Sequence, residues 1–366
     1  MKKIFFTSWF ILFVICLWIV VGAHFKPFGR KFFYPRVKNG NQIMTGLHNQ
    51  IKVDFYKEYC PYITNRYKTS LDEADIIAHG DSFFNSYLGD LYFGDQLQNA
   101  TGKKVYTADT READPLKLLK ENNYPKKETV RLLLLESGEE FSFDKASKVK
   151  AEEYHFIPRN FWEKLTNAMQ WRTEAANTWL RENLITLNKR NQNIKIFFED
   201  NILFYPLAKC IANFQFEYLD ELSSVIGAYS REPKMIFHKD SVGFDRREKT
   251  EKEIDELVAY VSRVSEELKE KYNIQLIYIL IPTKYTIYHD LVDDHYTYDD
   301  FIPRIYQLLE KRGVKVIDIY TAYKKYRETD DSQMLYYAAD SHWTPFGKKM
   351  FVQEVVKTID ALNNNL

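Results

Sequence analysis

The chain has 366 residues, 45% of them hydrophobic, which is enough for one large α/β domain or one domain carrying a long insertion. Its 51 basic and 51 acidic residues cancel, so no basic field exists to hold nucleic acid. The three cysteines, Cys16, Cys60 and Cys210, have no C-x-x-C spacing. That excludes a zinc ribbon or a thioredoxin-like redox site and leaves Cys60 and Cys210 as expected buried free thiols, with a disulfide between them as the alternative.

The chain opens with Ile4 to Ala23, 20 uncharged and mostly apolar residues behind Lys2 and Lys3. At about 1.5 Å per residue such a helix spans the ~30 Å hydrocarbon core of a bilayer. Residues 1–25 are therefore expected to be a transmembrane anchor or signal segment, with Val21-Gly22-Ala23 resembling a small-residue cleavage site. Lys26, Arg30, Lys31, Arg36 and Lys38 follow the span and on charge alone would hold the body inside the cell. Large domains cross membranes despite such bias, and the chemistry below suits an external substrate. The body is thus expected outside a cell membrane, or exported if the segment is removed.

Residues 26–70 are basic and aromatic and read as a juxtamembrane linker. An α/β alternation follows. Residues 74–79 read as a strand, 83–98 as a helix, 103–107 as a strand, 115–123 as a helix and 130–136 as a strand buried on both faces. Between about 140 and 250 the rhythm breaks, with helical composition at 161–187 and 206–226, and this stretch reads as a mostly helical insertion. The rhythm resumes with helix 250–271, strand 274–281, helix 301–312, strand 314–319 and helix 345–362. Five parallel strands separated by helices predict a three-layer α/β/α sandwich over residues 71–366, with ligands held beyond the carboxyl ends of the strands.

Two short segments carry chemistry. Gly80-Asp81-Ser82 follows the first strand and opens a helix. There a glycine permits the tight turn, and the serine's backbone N–H is free to face a developing oxyanion. A serine hydroxyl needs a base to become a nucleophile. Asp340-Ser341-His342-Trp343-Thr344-Pro345 supplies one. Thr344 is a good N-cap and Pro345 a good first helical residue, so His342 lies on a loop with Asp340 close enough to orient its ring. The competing reading is that Asp81 or Ser82 caps a helix and Asp340 satisfies loop donors.

Together the two blocks resemble the SGNH/GDSL hydrolase superfamily. The run Asp340 to Gly347 resembles the D-x-H-W block of SGNH proteins of the alginate O-acetyltransferase type, and Ile281 to Tyr285 resembles another recurrent segment of that group. The resemblance covers roughly residues 72–140 and 250–360. It implies Ser82 as nucleophile, His342 as base and Asp340 as its partner. It also implies O-acetyl transfer to an extracytoplasmic polysaccharide through an acyl-enzyme, with a multi-pass membrane acyltransferase delivering the acyl group. Carbohydrate O-acetyl ester hydrolysis and glycan binding on a degenerate scaffold are the rival readings. The serine block comes first here, as in ordinary SGNH esterases, whereas it comes second in the alginate group. A Gly-x-Asn-Asp block, which supplies an oxyanion asparagine in that superfamily, is missing, leaving Ser137 and Thr283 as side chains near the expected position.

Thr283 and Lys284, ending a strand beside the site, and Trp343, beside the base, are the expected substrate contacts. Lys284 suits an acidic sugar, with a solvated surface lysine as the competing reading, and Trp343 suits a sugar ring, with core packing as the competing reading. No cofactor or metal is expected. His289, Asp290, Asp293, Asp294 and His295 match no metal template and read as a solvated loop, and Glu136, Glu139 and Glu140 read as a solvated strand end.

Overall fold

The computed structural model describes residues 2–24, 66–85, 90–108, 114–144, 205–222, 225–292 and 295–364. The helix expected at 161–187, Cys60, Asp293 and Asp294 lie outside the described residues. The chain divides into two compact units. One comprises Met1–Lys38, Lys52–Asp54 and Tyr154–Leu222; the other comprises Asn39–Ile51, Phe55–Glu153 and Ser223–Leu366.

In the first unit, helix α1 (Lys2–His24) exposes its described side chains, Phe6 and Trp9 among them. Among the described residues no helix is long and apolar enough to cross a membrane, so the expected transmembrane span is not supported here. A further helix described in this unit, at Tyr205–Leu219, carries Cys210 as a free thiol that is exposed rather than buried.

The second unit is an α/β domain. In chain order it starts with β1 (Ile76–His79), α2 (Ser82–Asn85), α3 (Phe93–Thr101), β2 (Val105–Ala108), α4 (Pro115–Glu121) and β3 (Arg131–Gly138). The helix at Tyr205–Leu219, α5 in this order, belongs to the first unit. Then come β4 (Ile226–Arg231), β5 (Lys234–His238), α6 (Lys239–Arg246), α7 (Glu251–Tyr272), β6 (Ile274–Ile281) and α8 (Lys284–Tyr288). The unit closes with α9 (Phe301–Lys311), β7 (Lys315–Val316), α10 (Ile319–Thr329) and α11 (Pro345–Asn363).

Five strands form one parallel sheet in the order β2-β1-β3-β6-β7. The expected parallel sheet is thus present. Its central strands are the two continuous apolar runs: β6 buries every residue but Gln275, and β3 buries Leu133 to Gly138. Each buried Leu or Ile side chain contributes about 1.5–3 kcal/mol through removal from water, so these two strands anchor the core. Helix α7 covers β6 and starts with a capping box between Thr250 and Glu253.

Two expectations change. The strand expected at 314–319 is cut to two residues because Asp318 caps α10, accepting from Thr321 N at 2.9 Å. Within 140–250, a stretch expected to be mostly helical, β4 and β5 form an antiparallel hairpin that was not expected. From β1 the chain fills the sheet first toward β2, then on the other side through β3. The carboxyl ends of β1 and β3 therefore flank the topological switch point, where ligands collect in open α/β sheets.

Candidate active site

Ser82 follows β1 and Gly138 ends β3, both at that switch point. The turn between β1 and α2 admits only glycine at position 80. A Cβ there would overlap the Glu136 carboxylate and stand 2.9 Å from the Phe84 ring. Glu136, fully buried on β3, accepts the Asp81 N–H at 2.7 Å. Asp81 in turn accepts the Phe83 N–H at 3.0 Å and the Gly138 N–H at 3.2 Å. Asp81 thus performs the local capping that was the competing reading, and this leaves Ser82 exposed at the start of α2.

The second block lies on the loop before α11. Thr344 accepts from Gly347 N at 3.1 Å and Pro345 starts the helix, as the sequence predicts. The loop brings His342 to Ser82, with Nε2 2.8 Å from Ser82 Oγ. Its Nδ1 is 2.6 Å from Asp340 Oδ1, which also accepts the His342 backbone N–H at 2.8 Å. Ser82, His342 and Asp340 therefore form one continuous hydrogen-bonded chain across 260 residues of sequence. The His342 side chain is 18% exposed and that of Asp340 is 5%.

Electrostatics follow from this burial. Desolvation pushes the Asp340 carboxyl up, but the adjoining imidazolium, its hydrogen bonds and the Lys284 charge outweigh that and hold its pKa below the usual value. Desolvation pushes His342 down, yet Asp340, with a smaller push from Asp81, raises it above its ordinary 6.5. The arrangement can take a proton from Ser82 Oγ and hold it on a stabilised imidazolium.

The expected substrate contacts are corrected by their burial. Trp343 is 2% exposed, stacked on Phe351 at 5.2 Å and edge-on to Phe83 at 5.0 Å, so its face is closed to a sugar. Lys284 is 4% exposed, and its Nζ donates to backbone carbonyls of Tyr337, Ala338 and Asp340. Thr283 caps α8 and donates to Asp245 Oδ2 at 2.6 Å. Ser137 Oγ donates to Gly138 O, so neither hydroxyl is turned to an oxyanion. Aromatic rings face open space elsewhere: Tyr296, Tyr298 and Tyr320 line a cleft of about 550 Å³ that includes none of Ser82, Asp340 and His342.

Glu136 and Glu139 are buried, not solvated. Glu139 accepts from Thr283 N at 3.0 Å, Thr286 Oγ1 at 2.6 Å and Tyr298 OH at 2.7 Å. Asp245 meets Thr283 Oγ1 at 2.6 Å and Thr286 Oγ1 at 3.1 Å, and the two threonine hydroxyls lie 3.0 Å apart. Each hydroxyl has one proton, so the two shortest contacts are donations from Thr283 to Asp245 and from Thr286 to Glu139, and the cluster brings the two acids together in a buried setting. Burial raises both acids, Asp245 well above its ordinary value with Glu139's charge adding to the shift. Lys249, itself buried and paired with Asp299 at 2.9 Å, partly offsets both shifts through its own charge. An acid at the carboxyl end of a strand buried on both faces lies inside by topology, and that signal was present at Glu136 and Glu139.

Residues 236–365 match the family model described as the SGNH hydrolase-like domain of the acetyltransferase AlgX. The resemblance read from Asp340 to Gly347 and from Ile281 to Tyr285 is thus shown for that part of the chain, and Ser82 lies outside it. No curated protein and no solved structure matches the chain.

Proposed function

We propose that the chain is a serine-dependent O-acyltransferase, transferring O-acetyl groups to an extracytoplasmic polysaccharide. The observation that carries this is the unbroken Ser82–His342–Asp340 relay, with contacts of 2.8 and 2.6 Å. Ser82 Oγ attacks the acyl carbonyl of the donor while His342 Nε2 takes its proton. The tetrahedral oxyanion collapses, and His342 returns the proton to the departing donor group. A sugar hydroxyl, deprotonated by His342, then attacks the acyl-enzyme, and Ser82 leaves with the proton restored. Asp340 stays ionised throughout and holds the imidazole in one tautomer.

The match to a hydrolase-like domain of an acetyltransferase supports the acyl-transfer class. Ser82 is exposed, which favours a second reading in which water resolves the intermediate and the chain is an O-acetyl esterase. In the transferase reading a multi-pass membrane acyltransferase supplies the acyl group. In this reading the uncharged run at residues 4–23 is the tether, and the body's place outside the membrane follows from the external substrate rather than from the flanking charges.

The test is incubation with an activated acetyl ester, with and without an oligosaccharide acceptor. Acceptor-dependent acetylation supports transfer; release of acetate alone, unaffected by acceptor, selects the esterase. Equal turnover in Ser82→Ala rules out both.

A further inference from the structure

Resting on the relay proposed above, we infer that Lys284 is the positioning residue of the acid–base loop: its buried ammonium fills a cup of backbone carbonyls and thereby holds Asp340 and His342 in register with Ser82.

The loop is a closed turn. Tyr337 N–H donates to His342 O at 3.0 Å, and the flanking Tyr336 and Trp343 form an antiparallel bridge. Inside the turn the carbonyls of Tyr337, Ala338 and Asp340 converge on Lys284 Nζ at 3.0, 3.0 and 2.7 Å. Three convergent carbonyl dipoles repel one another unless a positive charge lies between them, and an ammonium has three protons to offer. The Phe237 ring, 5.5 Å from Nζ, faces the same charge. The hairpin braces the turn as well, with Ile236 N–H donating to Ala338 O at 3.0 Å.

The anchor point of Lys284 is as firm as its head. It is the first residue of α8, directly after β6 and the N-cap Thr283, which is bonded to Asp245 and backed by Glu139. The ammonium therefore ties the acid–base loop to the centre of the sheet, two strands from the nucleophile. Its burial and its bonding oppose a role in binding an acidic sugar. The charged groups that act on His342 are Asp340 and Asp81, so Lys284 reaches the imidazole through Asp340.

The experiment labels Ser82 in the full chain with a fluorophosphonate probe, following rate against pH. It compares wild type, Lys284→Met and Lys284→Ala with and without added n-propylamine. Lys284→Met is expected to label about 10²-fold more slowly, the scale of a displaced catalytic group. Its acidic limb should move to lower pH as the imidazole loses its carboxylate contact. Propylammonium should restore part of the rate in Lys284→Ala, which keeps the test valid where Met fails to fold. Wild-type labelling in Lys284→Met overturns the inference. So does a slowed rate with an unmoved limb and no amine rescue, which would mean general destabilisation. Labelling that persists in Ser82→Ala instead overturns the relay itself.

Discussion

The two loops that meet at Ser82 are held by opposite charges. The nucleophile turn, Gly80 to Asn85, is held by carboxylates: Glu136 takes the Asp81 N–H, and Asp81 takes the N–H groups of Phe83 and Gly138. The acid–base turn, Tyr337 to His342, is held by a cation that takes three carbonyls. Each clamp suits the backbone polarity its turn presents inward. A strand running into a helix N-terminus presents N–H groups, whereas a closed loop with inward carbonyls needs a donor. The charges also act on the relay: Asp81 helps keep His342 basic, and Lys284 helps keep Asp340 ionised.

Perturbing the relay itself gives the largest effect. Ser82→Ala or His342→Ala should abolish acyl-enzyme formation. Asp340→Asn, which leaves the shape but permits the wrong tautomer, should lower turnover by about 10⁴-fold, read by steady-state kinetics. The anion clamp comes next. Glu136→Gln keeps the volume but weakens a charge-assisted bond of about 1.5–3 kcal/mol to the Asp81 N–H. Loss of stability by chemical denaturation together with slower acylation would place that clamp on a par with Lys284. An unchanged rate would confine positioning to the cation side.

A third prediction concerns pH and the relay. Because His342 must be neutral to accept a proton and its pKa is raised, the rate should climb with pH through a midpoint above 6.5. In Asp340→Asn the midpoint should fall, as should be visible in pH–rate profiles.

The smallest effect is on stability. Asp245 has a raised pKa, so the folded protein keeps a proton that the unfolded chain releases at about pH 4. Both states are protonated below that pH. Above it the unfolded state gains from ionising, so stability falls as pH rises from about 4 toward the raised folded pKa. Thermal melts of Asp245→Asn should show a flatter pH dependence over that window than wild type. An unchanged slope would locate the retained proton elsewhere.

Much of this was legible in the residues themselves. Long apolar runs such as Ile274–Ile281 announce buried parallel strands, and Thr344-Pro345 announces a helix start, because each depends on local physics. The meeting of Ser82 with His342 was legible from topology, since both blocks fall at strand ends or helix starts on one edge. The role of Lys284 was not, because it reads by type as a ligand-binding or solvated residue and only the packing of β5 and the closed turn brings it inward. Trp343 was open to a sugar contact or to core packing, and its stacking on Phe351 selects the core. The β4–β5 hairpin escaped notice because Ile226–His238 contains too little alternation to separate it from the helical stretch before it.

The proposed reaction runs through a covalent acyl intermediate on Ser82, formed with His342 as the base. Quenching the full chain with an activated acetyl ester and mapping the adduct by peptide mass spectrometry tests it directly. One acetyl group is expected on the peptide containing Ser82, absent from His342→Ala. An adduct on another residue, or one that forms equally fast in His342→Ala, would contradict it.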